Sequence, residues 1–272
     1  MSVKLMALDV DGTLTDGEGN ISPENANAVR AATAKGIKVV LATGRPLQGV
    51  EAICSELGIH GPHILVNGSV IMLGEEVWAE NCFSADELRA AYQHGEQLGG
   101  ISVMAFQPDI VWLWIPDSMD KDWISDRMDS FQLYKRTEVA SLRELPLEQV
   151  NKVMYMGNEQ SIDRVFETWP EEISHLATGR SYTYVGEINP PKANKGAALA
   201  FVAEKLGLQP EEVLAMGDGE TDLPMLRFAG TSVFIPRGCE VPKMPGRFAV
   251  VPKEECDRGV AWGASKYLSI PY

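Results

Sequence analysis

The feature that most constrains this chain lies at its start. Residues 3–10 are apolar apart from Lys4 and Asp9, and the run breaks off at Asp11-Gly12. Too short for an ordinary helix and closed by a turn dipeptide, it predicts a strand buried on both faces. Such strands belong to parallel sheets, whose neighbours are joined by helical crossovers. The following residues supply them. Ser22-Pro23 provides an N-cap and a first-turn proline for an alanine-rich helix that Gly36 closes, and 37–42 reads as a second buried strand. Residues 47–57 predict a further helix, 64–66 a third strand, and Asn67-Gly68 a two-residue hairpin.

After Phe83 the texture changes. A helix is expected over 85–98 and two antiparallel strands over 101–106 and 110–115. Segments 121–131, 150–156, 161–169 and 182–185 continue a mixture of helix and strand. Asn189-Pro190-Pro191 is a stiff extended exit. The parallel pattern then resumes, with a helix over 195–206 ahead of Gly207, a strand at 213–216, a short helix at 223–228 and a last strand at 232–235. The expected fold class is α/β: a Rossmann-like parallel-sheet core made of 1–83 and 189–272, with an α+β domain over 84–188 inserted into it.

Composition limits the partners. With 24 Lys+Arg against 38 Asp+Glu the formal charge is 24 − 38 = −14, which argues against broad contact with nucleic acid or anionic membrane. An anionic substrate therefore needs locally concentrated positive charge. No stretch of about 18 residues is apolar throughout, so no spanning helix is expected. Residues 1–8 suggest neither a signal peptide nor an anchor, and a cytoplasmic location is the default expectation. Cys54, Cys82, Cys239 and Cys256 form no Cys-x-x-Cys pair and read as plain thiols. His60 and His63 flank Gly61-Pro62 and read as loop residues.

The polar residues at the ends of the parallel elements are the chemical candidates, because ligands of open parallel sheets bind beyond the carboxyl ends of strands. Asp9 and Asp11 alternate around Val10, which on a strand puts both carboxylates on one side. Two neighbouring carboxylates repel unless a partner neutralises one. A hard cation such as Mg²⁺ meets that need, and Asp218 offers a further oxygen. Each residue also has an ordinary alternative. Asp9 alone would be a turn carboxylate, Thr43 a helix cap, Lys195 a solvated helix residue and Asp222 the N-cap before Leu223-Pro224. For Lys195 the helix dipole opposes the ordinary reading, since a cation in the first turn asks for an anion nearby.

Together, Asp9-Val10-Asp11-Gly12-Thr13-Leu14-Thr15, Ala42-Thr43-Gly44-Arg45, Lys195-Gly196 and Gly217-Asp218-Gly219-Glu220-Thr221-Asp222 resemble, in order, the four motifs of the haloacid dehalogenase superfamily. The segment inserted between the second and third motifs resembles the α/β cap of its Cof-like sugar-phosphatase branch. Asn67-Gly68-Ser69, Glu187-Ile188-Asn189-Pro190, Met225-Leu226 with Ala229-Gly230, and Gly259-Val260-Ala261 extend the likeness over nearly the whole chain. The resemblance implies Asp9 as nucleophile and Asp11 as general acid and base. It also implies Mg²⁺ held by Asp9, Asp218 and the Asp11 carbonyl, and phosphate held by Thr43, Gly44 and Lys195. Arg45, Thr221 and Asp222 would be supporting residues, and Arg180, Tyr182 and Tyr184 are cap candidates for leaving-group contacts.

Two positions depart from the family pattern. Thr221 stands where relatives usually have Asn, and Pro236-Arg237-Gly238-Cys239 stands where they tend to have Gly-Asn-Ala. Arg237 either adds a charge directed at phosphate or faces water, the second being the expectation. The function expected is a Mg²⁺-dependent phosphomonoester hydrolase acting on a small phosphorylated metabolite such as a sugar phosphate. No nucleic-acid, membrane or protein partner is implied. A phosphomutase or phosphotransferase using the same intermediate is one alternative. A non-catalytic metabolite-binding regulator on this fold is the other.

Overall fold

The computed structural model describes residues 2–191, 193–237, 241 and 248–272; Gly238 and Cys239 lie outside them. The chain forms two compact units. Met1–Gly44, Glu51–Ala79 and Asn194–Tyr272 make the first, and Arg45–Val50 with Glu80–Ala193 the second.

The first unit is built on a parallel sheet whose strands run in the order Ala249–Val250, Thr231–Phe234, Val213–Gly217, Leu5–Leu8 and Lys38–Leu41. Leu5, Met6, Ala7 and Leu8 are fully buried, which is why this strand is apolar at every position. Register fixes where the polar residues emerge. Leu8 lies opposite both Met216 and Leu41, so Asp9, Ala42 and Gly217 leave the sheet side by side. The Asp9 N–H donates to the Met216 carbonyl at 3.0 Å and the Ala42 N–H to that of Leu8 at 2.7 Å. The helix Lys195–Lys205 buries Ala198, Leu199 and Val202 in a cluster with Leu5, Ala7 and Phe234.

Several expectations are corrected here. His63 begins the strand His63–Leu65 and is buried, so it is no loop residue. That strand pairs with Val70–Leu73 in the register Leu65↔Val70, giving a four-residue connection, 66–69, in place of a two-residue turn. The turn lengthens because Val66, Asn67 and Gly68 all take positive φ, 51°, 56° and 94°. The helix expected over 47–57 breaks at Val50 into a single 3₁₀ turn, Leu47–Gly49, and the helix Glu51–Leu57. Gln48 explains the first piece: its side chain donates to the Lys135 carbonyl at 3.2 Å and accepts the Lys135 N–H at 2.6 Å, tying 45–50 to the second unit.

The second unit is a six-stranded sheet in the order Ala177–Tyr182, Val185–Asn189, Lys152–Gly157, Ile101–Phe106, Val111–Trp114, Arg136–Val139, antiparallel except for its last pair. Strand alternation feeds two cores. Ile101, Val103 and Ala105 pack with Leu88, Ala91, Ile162 and Val165, while Met104 and Phe106 pack with Ile124 and Met128. The single strand expected over 182–185 is instead a hairpin. Thr183 and Tyr184 turn the chain between Ala177–Tyr182 and Val185–Asn189, with no Gly, Asn or Asp to announce it. Among the described residues no helix is long and apolar enough to cross a membrane.

Candidate active site

Beyond the carboxyl edge of the parallel sheet lies a buried cluster of ionisable side chains. Lys195 Nζ is 2.6 Å from Asp9 Oδ1 and 2.6 Å from Asp222 Oδ1, and the three residues are 2%, 5% and 1% exposed. Lys195 reaches them from the first turn of its helix, whose N-cap is Asn194, its side chain accepting the Ala197 N–H at 2.8 Å. A cation at a helix N-terminus is disfavoured by the dipole, and two carboxylates resolve the conflict.

Asp222 is the hub. Its Oδ2 accepts the backbone N–H groups of Asp218 and Gly219, each at 3.0 Å, and its side chain does not cap the helix Leu223–Phe228. The N-cap reading of Asp222 is therefore corrected. Asp218 Oδ1 accepts the Thr13 hydroxyl at 3.3 Å. Its neighbour across the site is Gly12, at φ 86°, where a Cβ would lie 2.2 Å from Asp218 Oδ2. Only glycine fits that position, because the conformation is left-handed and the space is occupied.

Three carboxylates against one ammonium leave the cluster anionic. Burial, then the charge of Asp222, pushes the Asp9 carboxyl well above the usual carboxylate range. The same two causes raise Asp218 to about 6. For Lys195 burial favours the neutral amine, but Asp222 and Asp9 together outweigh it and hold the ammonium above the ordinary lysine range. One carboxylate oxygen from each of Asp9, Asp218 and Asp222 lies within 4.8 Å of the others. Hard oxygen donors in surplus negative charge fit a divalent cation such as Mg²⁺. Asp222 already receives three donors, so Asp9 and Asp218 are the pair suited to ligate it.

The other expected residues are placed as follows. Asp9 and Asp11 do not share a strand face: the strand ends at Leu8, the chain turns at Val10, and Asp9 is buried while Asp11 is exposed. Thr43 is fully buried, its N–H on the Ile64 carbonyl and its carbonyl accepting the Asn67 N–H, both at 2.9 Å. At Gly44 a Cβ would sit 3.0 Å from Asn67 Oδ1. The strained turn carrying Asn67 also backs onto Asn194, since a Cβ on Gly68 would be 2.5 Å from the Asn194 carbonyl oxygen. Val66 rarely tolerates φ 51°, a strain of the kind that concentrates at functional sites. Thr221 is exposed. Arg45 folds back over its own turn, Nη1 to the Gly49 carbonyl at 2.9 Å.

Arg237 does not face water as expected: it donates to the Gly12 carbonyl at 3.0 Å, the Cys256 carbonyl at 2.8 Å and the Asp257 carboxylate at 2.7 Å. Arg180 pairs with Asp163 and lies over the Phe166 ring. Tyr182 and Tyr184 stack with centroids 5.4 Å apart, across the turn and not along one strand.

A family model described as haloacid dehalogenase-like hydrolase matches residues 6–244. The chain belongs to that family. It is 30% identical over 251 residues to 5-amino-6-(5-phospho-D-ribitylamino)uracil phosphatase YcsE of Bacillus subtilis (strain 168), covering 89% of this chain and 88% of the relative. A haloacid dehalogenase-like hydrolase of Bacteroides thetaiotaomicron superposes with TM-score 0.82 at 24% identity, covering 97% of this chain and 99% of that one. The subclass IIB sugar phosphatase BT4131 gives TM-score 0.78 at 23% identity, covering 98% and 99%. Within the haloacid dehalogenase-like hydrolases the chain groups with the phosphatases.

Sequence reasoning did not single out Thr13, or Asn67 as the side chain beside Gly44. The signals were present as a threonine directly after Asp-Gly and an Asn-Gly pair placed after a buried strand. Neither signal says which segment the side chain will meet.

Proposed function

We propose that this haloacid dehalogenase-like hydrolase is a Mg²⁺-dependent phosphomonoester hydrolase working through an aspartyl phosphate on Asp9. The observation carrying the reading is Lys195 Nζ at 2.6 Å from Asp9 Oδ1, with Asp218 in the same cluster. Asp9 and Asp218, with the Asp11 carbonyl, would hold Mg²⁺. When bound, the ion supplies positive charge that lets an anionic carboxylate approach an anionic phosphate.

In this reading Asp9 Oδ2, the oxygen not bonded to Lys195, is the attacking atom. Asp9 Oδ2 forms the bond to phosphorus as the ester P–O bond breaks, and Asp11 gives its proton to the departing oxygen. Asp11 then takes a proton from water, whose oxygen attacks phosphorus and releases inorganic phosphate from Asp9. Thr43, the Gly44 N–H and Lys195 stabilise charge on the transferred group. Asp222 keeps Lys195 charged and holds the Asp218 loop. The parallel-sheet unit is the catalytic part in this reading, and the unit inserted between Ala79 and Asn194 selects the leaving group. Exposed Tyr182, stacked on Tyr184, is its candidate contact, whereas Arg180 is committed to Asp163.

The substrate class is a small phosphorylated polyol or sugar, the chemistry shared by the names of YcsE and BT4131. A panel of sugar, polyol and nucleotide phosphates, assayed for phosphate release with Mg²⁺ and with chelator, tests the reading. Turnover is expected with Mg²⁺ alone and is lost in Asp9→Asn and Asp11→Asn. Undiminished turnover by purified Asp9→Asn refutes the nucleophile assignment. Preferential transfer to an added acceptor hydroxyl refutes hydrolysis.

A further inference from the structure

Arg237 follows the strand Thr231–Phe234 in the first unit, and its side chain is four-fifths buried, at 19% exposure. Each of its three nitrogens has an acceptor: Nε the Gly12 carbonyl, Nη1 the Asp257 carboxylate and Nη2 the Cys256 carbonyl. The Asp257 charge neutralises it, and three of its five N–H donors are engaged within the protein. What the guanidinium does is tie the loop after the strand Leu5–Leu8 to the segment that leads into the helix Gly259–Leu268. Asn25 makes a parallel tie, its Nδ2 donating to the Leu14 carbonyl at 3.2 Å and the Asp257 carbonyl at 3.3 Å.

The residue held most directly is Gly12, the neighbour of Asp11. Gly12 takes φ 86°, and the turn around it is closed locally by the Val10 carbonyl, which accepts the Thr13 and Thr15 N–H groups at 3.3 and 2.9 Å. Asp11 is exposed. The Gly12 carbonyl is the point at which this turn is tied to a segment far away in the chain, and Arg237 grips it with a planar, pre-organised group anchored at two further points.

We propose that Arg237 is a positioning residue for Asp11, fixing the Asp11-Gly12 backbone so that the Asp11 carboxyl is aimed at the leaving oxygen. The proposal rests on the acid–base assignment of Asp11 made above. It separates from a structural role through leaving-group dependence. An alkoxide needs a proton from Asp11 to depart, whereas the phenolate of p-nitrophenyl phosphate does not.

The experiment compares single-turnover leaving-group release from p-nitrophenyl phosphate with that from an alkyl phosphate turned over by the unaltered enzyme, in full-length protein with Mg²⁺. In Arg237→Gln the alkyl rate is expected to fall on the order of tenfold or more beyond the aryl rate. Arg237→Lys, which keeps the charge but reaches fewer acceptors, should show the same selectivity to a smaller degree, and it carries the comparison if Arg237→Gln does not fold. Asp11→Asn is run beside them. If Asp11→Asn loses alkyl release while the Arg237 variants slow both substrates alike, or neither, the positioning proposal is overturned and the functional reading stands. If Asp11→Asn keeps alkyl release, the acid–base assignment itself fails.

Discussion

Lys195 and Asp222 meet in the interior of the parallel-sheet unit at 2.6 Å, and the other oxygen of the same carboxylate carries the N–H groups of Asp218 and Gly219. One buried side chain therefore sets both the charge beside Asp9 and the position of the loop bearing Asp218. Taking one partner from such a pair leaves a buried charge under-compensated, which costs more than the pair itself contributes.

Asp222→Asn keeps an acceptor for the loop N–H groups but removes the charge facing Lys195. A stability loss of about 1.5–3 kcal/mol is expected in urea titration, together with reduced turnover. An unchanged unfolding midpoint would contradict the role given to Asp222.

Gly12→Ala places a methyl group where Asp218 Oδ2 stands, 2.2 Å from the ideal Cβ, and forces an L-residue to φ 86°. The backbone cost alone is about 1–2 kcal/mol. Displacement of Asp218 should further weaken Mg²⁺ binding, readable by calorimetry with the metal alone. Binding as tight as that of the unaltered protein would show that Asp218 has room to move.

Mg²⁺ should stabilise the folded chain by mass action, by about 2.7 kcal/mol at a hundred times its dissociation constant. Thermal unfolding with and without Mg²⁺ reads this directly. In Asp218→Asn the increment should largely vanish; an increment equal to that of the unaltered protein would place the ion elsewhere.

His63 provides a pH test away from the chemistry. Burial lowers its pKa from 6.5 to about 4, and its Nε2 lies 3.3 Å from Cys54 Sγ. Between those values the unfolded chain takes up a proton that the folded chain refuses, so stability falls as pH drops from 6.5 toward 4. The full effect is about 3 kcal/mol. Urea titrations of the unaltered protein and His63→Leu across that range, both with Mg²⁺, should give a difference that narrows as the pH falls. A flat difference would mean that His63 is protonated in the folded state.

The elements with strong local signals were legible beforehand: the opening strand, the helices behind Ser22-Pro23 and over 85–98, and the α/β class. Where the outcome differed, a distant partner intervened. Gln48 breaks its expected helix to bond Lys135, 87 residues away. Arg237 is drawn from water by Gly12, 225 residues earlier. The hairpin at Thr183-Tyr184 carries no turn residues, so stacking of Tyr182 on Tyr184 and pairing with Lys152–Gly157 locate it.

The amino-acid sequence by itself determined which residue types stand at the ends of which elements, because hydrophobic periodicity and turn chemistry are local. The order of acidic, hydroxyl and basic residues along the chain followed from that, and with it the family. Tertiary structure alone decided their neighbours. Strand register brings Asp9 level with Gly217, and a buried ammonium selects Asp222 over the solvent-facing Asp11 as its second carboxylate. Those outcomes depend on distances and desolvation between segments far apart in the chain, quantities that no local pattern encodes.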